Sequence, residues 1–290
     1  MEQETYTEQQ VCEIVDELAK EPSVKKQRVW EVDFLRGVLI LFVVWDHFMW
    51  DVNNVGGAYN TGLFCWLYEL SVSYYSGALR KATHDGFVTL FIFLSGVSCS
   101  FSRSNGKRAI KMLIFSVGFT AITFVASQVV KSNITVRFNV IHVITLCVLI
   151  WTAIEFVWSK CNKNWQKNVF GATMAAVIVA SLWIGAAFDT QPSTSTNAMW
   201  FWLVRHRSAE FSYFCGGDYW PFLPDFSWFL IGAFLGKFVY KQKKTLFPSV
   251  DPKWVEPVAF CGRYSVWIYF GSQVVMYGLI YLLHGILNIL

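Results

Sequence analysis

The sequence predicts an all-α integral membrane protein, a bundle of about seven transmembrane helices with a cytoplasmic N-terminus and the C-terminus outside. Three observations carry this expectation. The 290 residues are 54% hydrophobic and 18% aromatic but only 15% charged, with a mean hydropathy of +0.40, whereas soluble domains carry roughly 25% charged residues. Seven apolar stretches approach the roughly 17 to 25 helical residues that cross a hydrocarbon core. Finally, the basic residues sort to one side of those stretches. The same composition excludes a disordered chain, which could not bury so much apolar surface, and argues against a nucleic-acid partner, since the net charge is only +4.

Residues 1–29 form a polar, cytoplasmic N-terminal segment, and 30–290 a single membrane domain without internal repeats. Within the first segment Val11, Ile14, Val15 and Leu18 follow Thr7 at helical spacing, predicting a short amphipathic helix over 7–20. No cleavable signal is apparent, because the first apolar stretch ends in a charged, aromatic sequence. The expected spans then run over 34–50, 87–102, 109–130, 139–158, 169–188, 220–240 and 264–283. Their inner loops collect 18 of the 24 Lys and Arg residues, and only Arg80, Lys81, Lys131, Arg137, Arg205 and Arg207 fall outside. An eighth span at 62–79 would invert the later loops and erase that asymmetry, so 62–79 reads as interfacial or re-entrant.

The first span, EVDFLRGVLILFVVWDHFMWD, is the most informative. Arg36 and His47 are eleven residues apart, close to three helical turns, which puts both on one face about 16 Å apart. Asp33 and Asp51 join that stripe. Ionisable side chains within a span face the bundle interior or an aqueous cavity, so the stripe is a candidate pathway wall. All five histidines, His47, His84, His142, His206 and His284, fall on the expected outer half, accompanied by Asp46, Asp51, Asp85, Asp218 and Asp225. The segment THDGFVTLFIFLSG sets His84 beside Asp85 ahead of the second span. GGDYWPFLPDFSWFLIG, with its prolines and two aspartates, suggests a rigid outer mouth ahead of the sixth. No cysteine pair has metal-ligand spacing, and no metal is expected. Cys65 and Cys215 could bond across the outer loops if that side is oxidising.

The segments LRG with His47 beyond it, DGFVTLFIFLSG, RFNVIHVI, DYWPFLPDF and GRYSVWIYFGSQ together resemble the heparan-alpha-glucosaminide N-acetyltransferase catalytic family over roughly residues 30–280. The resemblance implies transfer of an acetyl group from cytoplasmic acetyl-CoA to a sugar amine on the opposite side of a membrane, in a multi-pass protein of the cell membrane. Asp85 matches an aspartate of the family's active-site region, His47 stands where the lysosomal enzyme has an active-site asparagine, and His84 is the nearest substitute for its catalytic histidine.

Acyl transfer from a thioester needs a base, oxyanion stabilisation and anchors for the donor phosphates. The expected catalytic set is His47 as base, Asp85 as its charge partner, and His84 and His142 as secondary groups. Arg36, Arg103, Lys107 and Arg108 are expected to hold the phosphates, with Asp51, Asp218 and Asp225 near the acceptor. The partners expected are the lipid bilayer, the acyl donor and a sugar or glycan, with self-association left open. The rival expectation is a transporter or channel using the ionisable stripe for permeation. A retinal protein is disfavoured because 264–283 contain no lysine.

Overall fold

The computed structural model describes residues 29–56, 62–131, 133–189, 203–204, 218–250 and 252–287. Their α-helices are α1 (Trp30–Gly56), α2 (Gly62–Ser76), α3 (Ala78–Val97), α4 (Asn105–Val130), α5 (Val140–Lys160), α6 (Asn164–Asp189), α7 (Asp225–Val239), α8 (Glu256–Arg263) and α9 (Ser265–Leu287). Among the described residues the only extended pairing is an isolated parallel bridge between Phe138 and Tyr219. The amphipathic helix expected over 7–20, His206 and Cys215 lie outside the described residues, as does the side chain of His284.

Each expected apolar stretch falls on a helix, but among the described residues only four helices are both long and apolar enough to cross a membrane. They cover Ala78–Ser100, Asn105–Val129, Val140–Lys160 and Asn164–Ala187. The difference from seven has physical reasons. Helix α1 has the length, 27 residues, yet carries Glu31, Asp33, Arg36, Asp46 and Asp51. Helix α7 has only 15 residues because Pro224 occupies its N-cap, which leaves 220–224 outside it. Helix α9 is apolar over the shorter stretch Ser265–Ile280. Helix α3 begins at Ala78 rather than 87, because Arg80, Lys81, His84 and Asp85 fill its first two turns and mask it in a hydropathy reading. Residues 62–76 form a separate 15-residue helix lying against α1 and α3.

Side-chain caps set two of the starts. Ser104 accepts the Lys107 amide at 3.3 Å at the head of α4, and Asn139 accepts the Ile141 amide at 3.1 Å at the head of α5. The core lies where α3, α5 and α7 meet, around Ile92, Val143, Cys147, Trp151, Phe229 and Leu230, all at most 1% exposed. In contrast, α4 and α6 turn Ile114, Val117, Val129, Val179 and Trp183 outward, which is the arrangement of helices solvated by lipid on one face.

Two glycine contacts fix helix positions around the interior. A Cβ on Gly96 of α3 would run into the Phe229 carbonyl, and one on Gly232 of α7 into the Phe93 carbonyl, so the two backbones pack at a distance only glycine permits. Gly37 of α1 and Gly262 of α8 do the same against Val258 and Asp33, seating α8 beside Arg36. Gly96→Ala and Gly232→Ala should each destabilise the bundle by about 1–3 kcal/mol through overpacking. Thermal unfolding in detergent measures it, and unchanged midpoints would refute the close-approach argument.

Candidate active site

Helix α1 places Arg36, Ile40, Val43 and His47 at successive turns, and all four line one cavity of 730 Å³ running through the interior. At one end its walls carry Arg103, Lys107, Arg108 and Lys111 from the start of α4, together with Arg36. At the other end stand Asp46, His47, Arg80, His84 and Asp218. Phe87, Phe91, Phe115, Ile141 and Ile144 line the walls between. A smaller recess of 570 Å³ adjoins the basic end, sharing Arg36, Arg103 and Arg108 and reaching Asp33 and Lys243.

Arg36 donates from Nη2 to Ser265 Oγ at 3.2 Å at the head of α9, and its guanidinium lies 5.6 Å from the Phe91 ring centre. Its Nε is buried without a hydrogen-bond partner. Such a group costs free energy unless something satisfies it, and a charged donor costs more than a neutral one. Arg108 turns one guanidinium nitrogen toward Cys99 Sγ at 3.6 Å, whereas Arg103 and Lys107 are exposed.

The histidine end is built on a bidentate ion pair. Arg80 Nε and Nη2 donate to Asp46 Oδ1 and Oδ2 at 2.9 and 3.0 Å, and the guanidinium stacks 4.3 Å from the Tyr75 ring centre. Tyr74 Oη donates to the same carboxylate, and Tyr75 Oη to the Asp46 carbonyl, each at 3.0 Å. Burial and the neighbouring Asp46 charge push the Tyr74 phenol up to about 12, so it remains a donor throughout the neutral range. His84 is held on both sides: Nε2 lies 3.5 Å from Asp46 Oδ2 and Nδ1 3.0 Å from Asp85 Oδ1. With both nitrogens facing carboxylates, its ring keeps no free lone pair for a substrate proton while those contacts last.

His47 is placed differently. Its ring meets Tyr269 edge to face at 5.4 Å, Nδ1 is buried without a hydrogen-bond partner, and the residue lines the cavity. Tyr269 Oη in turn donates to Asp218 Oδ2 at 2.5 Å, and Asn139 Nδ2 donates to both, at 3.1 Å to the carboxylate and 3.2 Å to the phenol. The bridge between Phe138 and Tyr219 brings Asp218 to Asn139, so the cap of α5 doubles as the scaffold of this network.

The remaining expected residues lie outside the cavity lining. His142 completes the cap of α5: Nδ1 accepts the Asn139 amide at 3.3 Å and Nε2 faces Thr120 Oγ1 at 3.0 Å. Asp225 is 2% exposed and accepts from Thr89 Oγ1 at 2.6 Å and from Trp220 Nε1. Asp51 is 5% exposed on α1, one turn beyond His47, and Asp85 contacts His84 Nδ1. The sequence reading gave no role to Arg80, Tyr269 or Asn139, and mentioned Asp46 only as a neighbour of the histidines. Their spacings of 34 residues for Arg80 with Asp46 and 130 for Asn139 with Tyr269 leave no local signal.

The described residues contain no cluster of three potential metal ligands. A family model described as heparan-alpha-glucosaminide N-acetyltransferase, catalytic, matches residues 28–274. No curated protein and no solved structure matches at a significant level.

Proposed function

The chain belongs to the heparan-alpha-glucosaminide N-acetyltransferase catalytic family, whose members are membrane acetyltransferases, and on that premise we propose that it transfers an acetyl group from cytoplasmic acetyl-CoA to an amino sugar or glycan on the opposite side of the cell membrane. The observation that supports this reading is one continuous cavity with a basic end at Arg36, Arg103, Lys107 and Arg108 and a histidine–carboxylate end at His47. A donor that carries phosphates at one end and a thioester at the end of a long arm matches that division. Arg36 and His47 lie about 16 Å apart along α1, so the phosphates and the reacting carbonyl would occupy separate parts of the cavity.

The full topology proposed is seven crossings with the N-terminus cytoplasmic. Helix α1 crosses with its charged stripe inward, α2 lies at the outer interface, and α7 and α9 complete the bundle. Ionisable residues are tolerated in α1 because Asp46 pairs with Arg80 and Arg36 faces the cavity.

In the reaction His47 acts as the base. The acceptor nitrogen attacks the thioester carbonyl, its proton passes to His47 Nε2, the C–S bond breaks, and the CoA thiolate leaves with a proton returned from the imidazolium. The pair with Asp46 fixes the Arg80 guanidinium at the acceptor end, where N–H groups not engaged by Asp46 would stabilise developing negative charge on the carbonyl oxygen. Asp218, held by Tyr269 and Asn139, is the carboxylate positioned to hold an acceptor amine or hydroxyl. His142 and Asp225 support this site from the α5 cap and the α7 entrance, and Asp85 fixes His84.

Thiol release from acetyl-CoA by purified protein, assayed against amino sugars and surface glycans, tests the reading. Acceptor-dependent release is expected. Solute flux in liposomes without acetyl-CoA consumption would instead favour a transporter.

A further inference from the structure

Three buried polar atoms without a hydrogen-bond partner lie on one stripe of α1: Arg36 Nε, His47 Nδ1 and Asp51 Oδ2. Arg36 faces the basic end of the cavity, and the proposed donor accounts for it. The other two form a pair of their own. His47 and Asp51 are four residues apart, so their side chains rise from adjacent turns of the same face with Cβ atoms about 5–6 Å apart. Asp51 is 5% exposed and is not among the residues lining the cavity, so it has no direct place against a substrate there. A buried carboxylate with an open oxygen beside an imidazole with an open ring nitrogen is a complementary pair, since Nδ1–H is a donor and the carboxylate an acceptor.

We propose that Asp51 is the positioning residue of His47, joined to its Nδ1 through one ordered water. This assignment rests on His47 acting as the base. It gives Asp51 the part of the carboxylate in a catalytic triad, reached through a water: it keeps the proton on Nδ1, presents the Nε2 lone pair to the cavity, and stabilises the imidazolium formed when Nε2 takes the acceptor's proton. A water suits the gap because it finds polar partners on both sides. The expected role of Asp85 thereby passes to Asp51, because Asp85 is engaged with His84.

The test uses the full chain in detergent or nanodiscs and has two readouts. In ¹⁵N-histidine NMR without substrate, Asp51→Asn should move the His47 ring resonances toward the other tautomer. The groups sharing its surroundings, Tyr269 of α9, Arg80 and His84 of α3, Asp218 and Asp46, remain in place. In acetyl-CoA turnover, Asp51→Asn should lower kcat roughly tenfold with KM for acetyl-CoA unchanged, Asp51→Glu should recover part of it, and Asp51→Asn should add nothing in a His47→Ala background. Unmoved His47 resonances would overturn the pairing, whatever the activity. A full additional loss in the His47→Ala background would also overturn it. Moved resonances in a protein that turns over no acetyl-CoA would leave the pairing standing and overturn the acetyltransferase reading instead.

Discussion

His47→Ala should lower kcat for acetyl transfer by roughly 10²- to 10⁴-fold, the span that loss of a positioned general base produces, while acetyl-CoA still binds. The expectation follows from the contrast between the two histidines of the cavity. His84 is clamped between Asp46 and Asp85, so both of its ring nitrogens face carboxylates of the protein rather than an incoming acceptor. His47 meets the edge of Tyr269 and lines the cavity, and among the described residues no carboxylate clamps its ring. His84→Ala is accordingly expected to have the smaller chemical effect and the larger structural one, since it removes the link between α1 and Asp85. Single-turnover measurements with bound acetyl-CoA separate the two. Chemistry in His47→Ala at the wild-type rate would remove His47 from the mechanism, and a larger loss of the chemical step in His84→Ala would move the base to His84.

The legibility of this site in the sequence depended on whether its parts were local. Helical periodicity alone put Arg36 and His47 on one face of the first helix, and both line the cavity. Proximity in sequence was a poorer guide at His84, where the adjacent Asp85 does make contact but the carboxylate of Asp46, 38 positions earlier, completes the clamp. Hydropathy placed the helices but set five of the seven starts four or more residues away from where the helices begin. Arg80 and His84 looked like loop residues because Asp46, which meets both, is a tertiary contact that no window contains. The prolines before Asp225 signalled a shaped mouth and in fact shorten α7 to 15 residues. His142 illustrates the limit on chemistry: a histidine at a helix start reads equally as a base or as a capping residue, and only the contacts with Asn139 and Thr120 show the cap.

Arg36→Ala should raise KM for acetyl-CoA roughly 10- to 100-fold with kcat changed far less. Hydrogen bonds to charged groups contribute about 1.5–3 kcal/mol each, and tenfold corresponds to about 1.4 kcal/mol. Arg36, Arg103, Lys107 and Arg108, four of the five basic residues that line this end, are not equivalent. Arg103 and Lys107 are exposed at the head of α4, where water and salt weaken any single contact, and an ordinary cytoplasmic loop carries such charges without a ligand. Arg36 lies deeper, its Nε orphaned, its only hydrogen bond among the described residues given to Ser265, and α8 seated against its helix by Gly37 and Gly262. A guanidinium so placed binds a phosphate through two parallel donors, which lysine cannot reproduce, so Arg36→Lys should recover only part of the affinity. Neutralising Arg103 or Lys107 should change KM by less than threefold and mainly alter its salt dependence. Isothermal titration with CoA gives the same ranking without turnover. Equal losses at all four positions would mean that a diffuse basic field holds the donor, and an unaltered KM in Arg36→Ala would place the phosphates elsewhere.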